Sequence, residues 1–337
     1  MLLVGDIGGT KTDLAVVTAE RGPWLPVAQK RFPSGDYLSL EDIAREFVAE
    51  VKLPIRGACF AVAGPVINGK AALTNLPWIV EESALQAALR LEFVSLLNDV
   101  EAVAAAVPHL RPGDVSTLQD GEAVPGGSIA VIAAGTGLGE AFLTWDGSRY
   151  HAYPSEGSHN DFGPTSPRET SLLQHLQARF GRVSYERVCA GKAIPDLYDF
   201  LKDEGLTPES PELAAQIATM RDRTPRIVGA ALDARDPDPL ALAAVNMFVA
   251  ILGAQAGNLA LTVLATGGVY LAGGMAQRIL PVAKGARESF LSTFHVKGRL
   301  SPFMSRVPVH LILESVALVG AAFAALERTY SARSVSA

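Results

Sequence analysis

Apolar and polar positions in the first third of the chain switch repeatedly between strand-like and helix-like periods. Leu2 to Asp6 is a short apolar run closed by Gly8-Gly9, and Asp13 to Thr18 is a second run. The pattern predicts two strands joined by a tight glycine turn. Ser39 to Val51 carries apolar residues at Ile43, Phe47, Val48 and Val51. That spacing predicts a helix, with Ser39 as N-cap and Asp42 in its first turn. Ala58 to Ala63 reads as a buried strand, Glu81 to Leu91 as a helix, Phe93 to Leu97 as a strand and Val100 to Val107 as a helix. Strands alternating with helices predict an α/β lobe.

Arg111 to Gly127 breaks the pattern with Pro112, Gly113, Gly121, Pro125, Gly126 and Gly127, and reads as a connection into a second unit. Ser128 to Ala133 is again a strand, then come the glycine turn Gly135-Thr-Gly-Leu-Gly139 and a strand from Glu140 to Trp145. Helices follow at Glu169 to Phe180, Ile194 to Lys202, Glu212 to Met220 and beyond Pro237-Asp-Pro239. Val269 to Ala272 and Val309 to Leu313 read as strands, and Val316 to Arg328 as a last helix. Strand, glycine turn and strand thus occur at Leu3–Val17 and again at Ile129–Thr144. Such an echo predicts a duplicated fold, in which two turns face each other across a cleft and hold a polyphosphate between them.

Composition sharpens this picture. The chain has 337 residues, 49% hydrophobic and 19% charged, enough for two globular lobes rather than a disordered or low-complexity protein. Its net charge of −6, with no basic cluster, argues against a nucleic-acid surface. No signal-peptide pattern opens the sequence, and the two cysteines, Cys59 and Cys189, sit alone in apolar contexts; buried thiols in a reducing, cytoplasmic setting are expected. Between Asp238 and Arg278 no residue is charged, although a membrane span needs only about 20 apolar residues. Asn246, Gln255, Asn258 and Thr262 interrupt the stretch, so the expectation is a buried soluble helix and no membrane partner. Gly253 and Gly257 give that helix a face suited to close packing.

Several short stretches carry candidate chemistry. In Asp6-Ile-Gly-Gly-Thr-Lys11, Gly8 and Gly9 would expose backbone N–H groups to a phosphate, Thr10 and Lys11 would add a hydroxyl and a charge, and Asp6 could hold Mg²⁺ through water. A plain hairpin beside a solvated Asp is the alternative. Gly135, Thr136 and Gly137 could form a second phosphate turn; a dinucleotide fingerprint would have to open a helix, whereas Glu140 onward looks like a strand. Gly64 to Lys70 nearly spells a P-loop, but Ala71 stands where Ser or Thr would bind Mg²⁺, and the reading is rejected. Asp99 is either a helix N-cap or a general base accepting a hydroxyl proton. Ser155 to Asp161 packs donors and acceptors suited to sugar hydroxyls, including Glu156 and His159; a polar surface loop and a metal site from Glu156, His159 and Asp161 are the alternatives, the last without a cysteine or second histidine nearby. Glu186, taken alone, reads as a surface charge.

Together, GDIGGTKTDLA (5–15), LTNLPW (73–78), LLNDVEAVAAAVP (96–108), AAGTGLGEAFL (133–143), PSEGSHNDFGP (154–164), SYERVCAG (184–191) and GNLALTVLATGGVYLAGGMAQRI (257–279) resemble the bacterial glucokinase family, in order over nearly the whole chain. The resemblance implies a two-lobed, duplicated actin-like ATPase fold (ribonuclease H-like), with a cleft between a small α/β lobe (1–108 plus about 314–337) and a larger helix-rich lobe (109–313). It implies Mg²⁺-dependent transfer from ATP to glucose, with Asp99 as catalytic base. It also implies sugar contacts from Asn75, Asn98, Asp99, Glu156, His159 and Glu186. Phosphate contacts would come from the turns at Asp6–Thr10 and Gly135–Gly139, and adenosine contacts from Gly273 and Gly274. A cytoplasmic homodimer is the usual expectation for such enzymes.

Two departures stand out. Lys11 occupies a position where many members carry Asn, adding charge to the first turn. His159 is followed by Asn-Asp-Phe-Gly rather than the Cys-rich motif of the related repressor–kinase group, so no structural zinc is expected. The alternatives are a kinase for another hexose or amino sugar, a non-catalytic sugar sensor and, more distantly, an NAD-dependent dehydrogenase. Sensors of this fold carry a DNA-binding segment ahead of the first turn, which here begins at residue 6.

Overall fold

The apolar runs become the central strands of two sheets, and the helical periods become the layers that cover them. In a computed structural model, residues 1–205 and 207–335 are described. The elements begin with β1 (Leu2–Ile7), β2 (Lys11–Val17), β3 (Ala28–Pro33), α1 (Leu40–Val51), β4 (Gly57–Val62), β5 (Lys70–Ala72), β6 (Ile79–Glu81), α2 (Glu82–Leu89), β7 (Phe93–Asn98) and α3 (Asp99–Ala106). Next come β8 (Val115–Gln119), β9 (Ile129–Ala134), β10 (Leu138–Trp145), β11 (Tyr150–Ser155), α4 (Pro167–Phe180), α5 (Tyr185–Val188), α6 (Ile194–Asp203), α7 (Pro211–Ile217) and α8 (Thr224–Ala231). The chain ends with α9 (Pro239–Thr262), β12 (Gly268–Ala272), α10 (Gly274–Ile279), α11 (Ala286–His295), α12 (Ser301–Met304), β13 (Val309–Ile312) and α13 (Ala317–Val335).

Two compact units result: Met1–Leu110 with Ala141–Pro154 and Ser315–Ala337, and Arg111–Glu140 with Ser155–Glu314. Residues 141–154, read from the sequence as part of the second lobe, group with the first unit. Leu206 and residues 336–337, included in the lobes read from the sequence, lie outside the described residues.

The first sheet has the order β3-β2-β1-β4-β7. Strand β1 is antiparallel to β2 and parallel to β4, which is in turn parallel to β7. The second sheet has the order β11-β10-β9-β12-β13-β8, with β12 parallel to both β9 and β13 and β8 antiparallel at the edge. Each sheet thus repeats one plan: a central strand, two hairpin neighbours on one side, and two later parallel strands on the other. The strand order reverses beside β1 and beside β9. Open α/β sheets bind ligands beyond the carboxyl ends of their strands at such reversals. Both predicted glycine turns follow those two strands.

Helix α1 begins as the sequence predicts, with the Ser39 hydroxyl accepting from the Asp42 N–H at 3.2 Å. The P-loop lookalike is a turn: Asn68 and Gly69 have φ of 52° and 71°, and Lys70 then opens β5 instead of a helix. Strand β8 falls in the stretch read as a connection; it pairs with β13 at an edge, and its proline- and glycine-rich flanks mask it. The hairpin β5–β6 and strands β3 and β11 also have no sequence-level prediction, because their exposed, mixed patterns lack an apolar run.

Helix α9 is long and apolar enough to cross a membrane, but most of it is buried within the second unit. There Phe248, Val249 and Ile251 join the core with Phe290 and Phe294 of α11. A Cβ added to Gly253 would stand 2.2 Å from the Phe290 carbonyl oxygen, so glycine permits the close approach of α9 and α11. Cys59 and Cys189 are free and buried; burial pushes the Cys59 thiol up to about 12 and raises that of Cys189 as well.

Candidate active site

In the first unit, three parallel strands end side by side. The register aligns Ile7 with Val62 and Val62 with Asn98, so the Gly8-Gly9 turn, Gly64 and Asp99 all lie just past the carboxyl ends of β1, β4 and β7. The turn is pinned from behind: the Ser34 hydroxyl donates to the Gly8 carbonyl at 2.8 Å, and the Ser34 N–H donates to that of Thr10 at 3.1 Å. Asn75 packs against Gly9. Asp13 is held by the Arg31 guanidinium through bonds of 2.7 and 3.0 Å, while Lys11, largely exposed, lies 3.8 Å from the same carboxylate.

Asp6 sits at the end of β1 under electrostatic pressure. Burial, then the negative charges of Asp99 and Asp13, raises its carboxyl from 3.8 to about 6, against the opposing pull of Lys11 and Arg31. Asp6 and Asp99 therefore belong to one electrostatic cluster.

The cap of α3 is Asn98 rather than Asp99. The Asn98 Oδ1 accepts from the N–H groups of Val100 and Glu101, and the Glu101 side chain accepts from the Asn98 N–H, which completes a capping box. Asn98 Nδ2 also donates to the Gly64 carbonyl at 3.1 Å, which leaves at most one of its N–H groups for a sugar. Asp99 is the first helical residue, and its Oδ1 accepts from the Val100 N–H at 2.9 Å.

In the second unit, the turn between β9 and β10 is closed by the Gly135 N–H donating to the Gly137 carbonyl at 2.9 Å. Its continuation, from Leu138, is a strand, which excludes the helix that a dinucleotide fingerprint needs. Gly191 N–H donates to the Gly135 carbonyl at 2.8 Å, and Thr224 Oγ1 donates to the Gly191 carbonyl at 3.1 Å. Gly273, at φ 89°, comes so near that an added Cβ would lie 2.4 Å from the Ala134 carbonyl oxygen. The positive φ and this crowding both require glycine. Gly273-Gly274 thus follows β12 beside the end of β9, as Gly135–Gly137 follows β9 itself.

The sugar candidates Glu156, His159 and Glu186 share this unit. His159 Nε2 lies 3.7 Å from Glu156 Oε2, with both side chains more than half exposed. Arg182 ties the loop down, donating to the His159 carbonyl at 2.5 Å and to Asp161 at 2.7 Å. Asp161 is thereby engaged, and among the described residues no group of three or more His, Cys, Asp or Glu could hold a metal. Glu186 Oε2 accepts from the Leu138 N–H at 3.3 Å, and its Oε1 accepts from Lys192 Nζ at 2.6 Å. Burial works against its charge, but Lys192, the Leu138 N–H and His159 outweigh burial and hold the carboxyl below its ordinary value. Lys192, the partner of the candidate Glu186, is not revealed by the sequence; a lone lysine after Ala-Gly has no signature, and only the fold brings it to Glu186. Ser34 is hidden in the same way.

Glycine turns beyond the central strands of two sheets of like topology, with carboxylates beside them, define the actin-like sugar-kinase class. The glucokinase family model matches residues 3–328. A glucokinase from Nostoc sp. is 41% identical over 339 residues, covering 96% of this chain and 98% of that protein. The crystal structure of a glucokinase from an Antarctic psychrotroph is 30% identical, with a TM-score of 0.75, covering 96% of this chain and 98% of that one. A ROK family glucokinase from Streptomyces griseus, solved in complex with glucose and AMPPNP, shares the fold at 19% identity and a TM-score of 0.61, covering 95% of this chain and 97% of that one. The chain belongs to the glucokinase family, ATP-dependent kinases of glucose.

Proposed function

We propose that the chain transfers the γ-phosphoryl group of ATP in line to the 6-hydroxyl of glucose, giving glucose 6-phosphate and ADP. Phosphoryl transfer needs positioning and charge stabilisation more than covalent chemistry. Asp99 orients the hydroxyl and takes its proton, and Asn75, beside Gly9, and Asn98, the residue before Asp99, add hydrogen bonds to the sugar. Glu156, His159 and Glu186 hold the sugar ring through hydrogen bonds to its hydroxyls. The turns at Asp6–Lys11 and at Gly135–Gly137 receive phosphates, and Gly273-Gly274 receives the adenosine. The observation that carries this reading is the bond from the Leu138 N–H to Glu186, which joins the sugar-binding set to the second glycine turn.

The residues also fit a water-mediated Mg²⁺. Asp6 is a carboxylate whose charge is opposed by burial and by two acidic neighbours, a conflict that a cation relieves, and no protein cage competes for the ion among the described residues. Mg²⁺ commonly binds through one or two carboxylates plus substrate phosphates and water. When bound, it supplies neutralisation of the phosphate charge. We place the enzyme in the cytoplasm, as a homodimer.

The 6-hydroxyl assignment is tested with 6-deoxyglucose. It is expected to inhibit competitively against glucose and to release no ADP above the sugar-free rate. Turnover of 6-deoxyglucose would move the acceptor to another hydroxyl.

A further inference from the structure

Beneath the loop that carries Glu156 and His159 lies Glu140, a carboxylate only 2% exposed at the start of β10. A Cβ added to Gly157 would stand 2.3 Å from Glu140 Oε2, so this oxygen lies directly against the loop backbone. The other oxygen, Oε1, accepts from Gln255 Nε2 on α9 at 2.7 Å. Gln255 Oε1 accepts from Asn258 Nδ2, one turn further along α9, at 3.2 Å. Asn258 Oδ1 accepts from Lys297 Nζ at 2.7 Å, and that ammonium also donates to the Ala254 carbonyl at 2.8 Å.

The chemistry at the two ends fixes the direction of the chain. An ammonium can only donate, so the Asn258 carbonyl must face Lys297 and its NH₂ must face Gln255. An ionised carboxylate can only accept, so Gln255 must turn its NH₂ toward Glu140. Both amide dipoles therefore run the same way between the cation and the anion, an arrangement in which each hydrogen bond polarises the next. The second N–H of Asn258 donates to the Tyr185 hydroxyl at 2.9 Å, and Tyr185 immediately precedes Glu186. One network, buried at Glu140 and Gln255 and half-buried beyond, thus reaches both the loop of Glu156 and His159 and the helix of Glu186.

We propose that Lys297, Asn258, Gln255 and Glu140 form a one-way charge relay that positions the sugar-binding residues. Its four side chains are positioning residues and touch neither sugar nor nucleotide. Burial disfavours charge on both terminal groups, Glu140 and Lys297; the Gln255 N–H opposes it at Glu140, and the Asn258 and Ala254 carbonyls accept from Lys297. The proposal rests on the reading of Glu156, His159 and Glu186 as the sugar site.

A double-mutant cycle on the full-length enzyme tests it. Lys297→Met and Glu140→Gln are each expected to raise the KM for glucose roughly tenfold, with smaller changes in the KM for ATP and in kcat. Residues that do not touch normally act independently, and their effects multiply. A relay predicts instead that the double variant is no worse than the worse single variant, and that Lys297→Arg retains most of the wild-type affinity. If Glu140→Gln does not fold, Gln255→Met takes its place, and Lys297→Met should then add nothing in that background. Multiplying effects, or equal losses for glucose and ATP, would overturn the relay. A Glu156→Gln control separates the two levels of the argument. Its glucose KM must rise for the sugar-site reading to stand, and an unchanged value would overturn that reading and the relay with it.

Discussion

Asp99→Asn is expected to lower kcat by about 10²- to 10⁴-fold, the usual contribution of a general base, while glucose still binds. Asparagine keeps the size of the side chain and can still hydrogen-bond a hydroxyl, but it cannot accept the proton that the hydroxyl must lose. The helix should survive the change, because its cap is Asn98 with Glu101, and Asp99 is only its first residue. The loss should therefore fall on turnover rather than on folding, which steady-state kinetics and a glucose-dependent fluorescence or calorimetric titration separate. Near-normal kcat in this variant would remove Asp99 from the chemical step.

Asp6→Asn should produce the second large effect, with opposite signs for stability and activity. The Asp6 carboxyl is raised from 3.8 to about 6. The folded protein therefore holds a proton there that the unfolded chain has released between these pH values, and stability falls as pH rises through that window. Asparagine cannot ionise and escapes the fall. The variant should match the wild type below pH 4, gain on it between about pH 4 and 6, and stay ahead above 6. A rise of about two units corresponds to about 2 to 3 kcal/mol at most. Denaturant unfolding of the nucleotide-free protein at pH 4, 6 and 8 reads the difference. In activity the same change should raise the KM for Mg-ATP and lower kcat if Asp6 holds Mg²⁺ through water as proposed. A variant no more stable than wild type at pH 8 would contradict the electrostatic account of Asp6. Asp99→Asn should lower the Asp6 carboxyl in turn, since it removes one of the charges that raise it.

The sequence carries the strand–turn–strand repeat clearly, because β4 and β9, and β1 up to Asp6, are almost wholly buried apolar runs and the turns between partners need glycine. It carries the buried helix α9 equally well, through a long uncharged stretch and two glycines that match the backbone of α11. Edge strands are a different matter. Strand β8 buries little and is flanked by Pro112 and Gly121, so nothing in its composition distinguishes it from a loop. Segment 141–154 shows a further limit: a hairpin contiguous in sequence with the second unit groups with the first, which no local pattern records.

At the site, residues within motifs could be read, and residues that serve them could not. Asp6, Asp99, Glu156 and His159 stand next to turns or strand ends, where local context suggests chemistry. Glu186 gains its meaning only from Leu138 and Lys192, which the fold brings to it. Glu140 is the sharpest case. In the sequence it is a polar interruption at the start of a strand, and in the structure it is a buried carboxylate bonded to a residue 115 positions away. Long-range hydrogen bonds leave no periodicity behind.

In the proposed reaction a sugar hydroxyl accepts the phosphoryl group of ATP. ADP release by the purified enzyme with Mg-ATP, measured across glucose, mannose, fructose, N-acetylglucosamine and a sugar-free control, tests that claim most directly. Glucose should give the highest kcat/KM and the sugar-free reaction only a trace. A rate that is the same with every sugar and with none would contradict it.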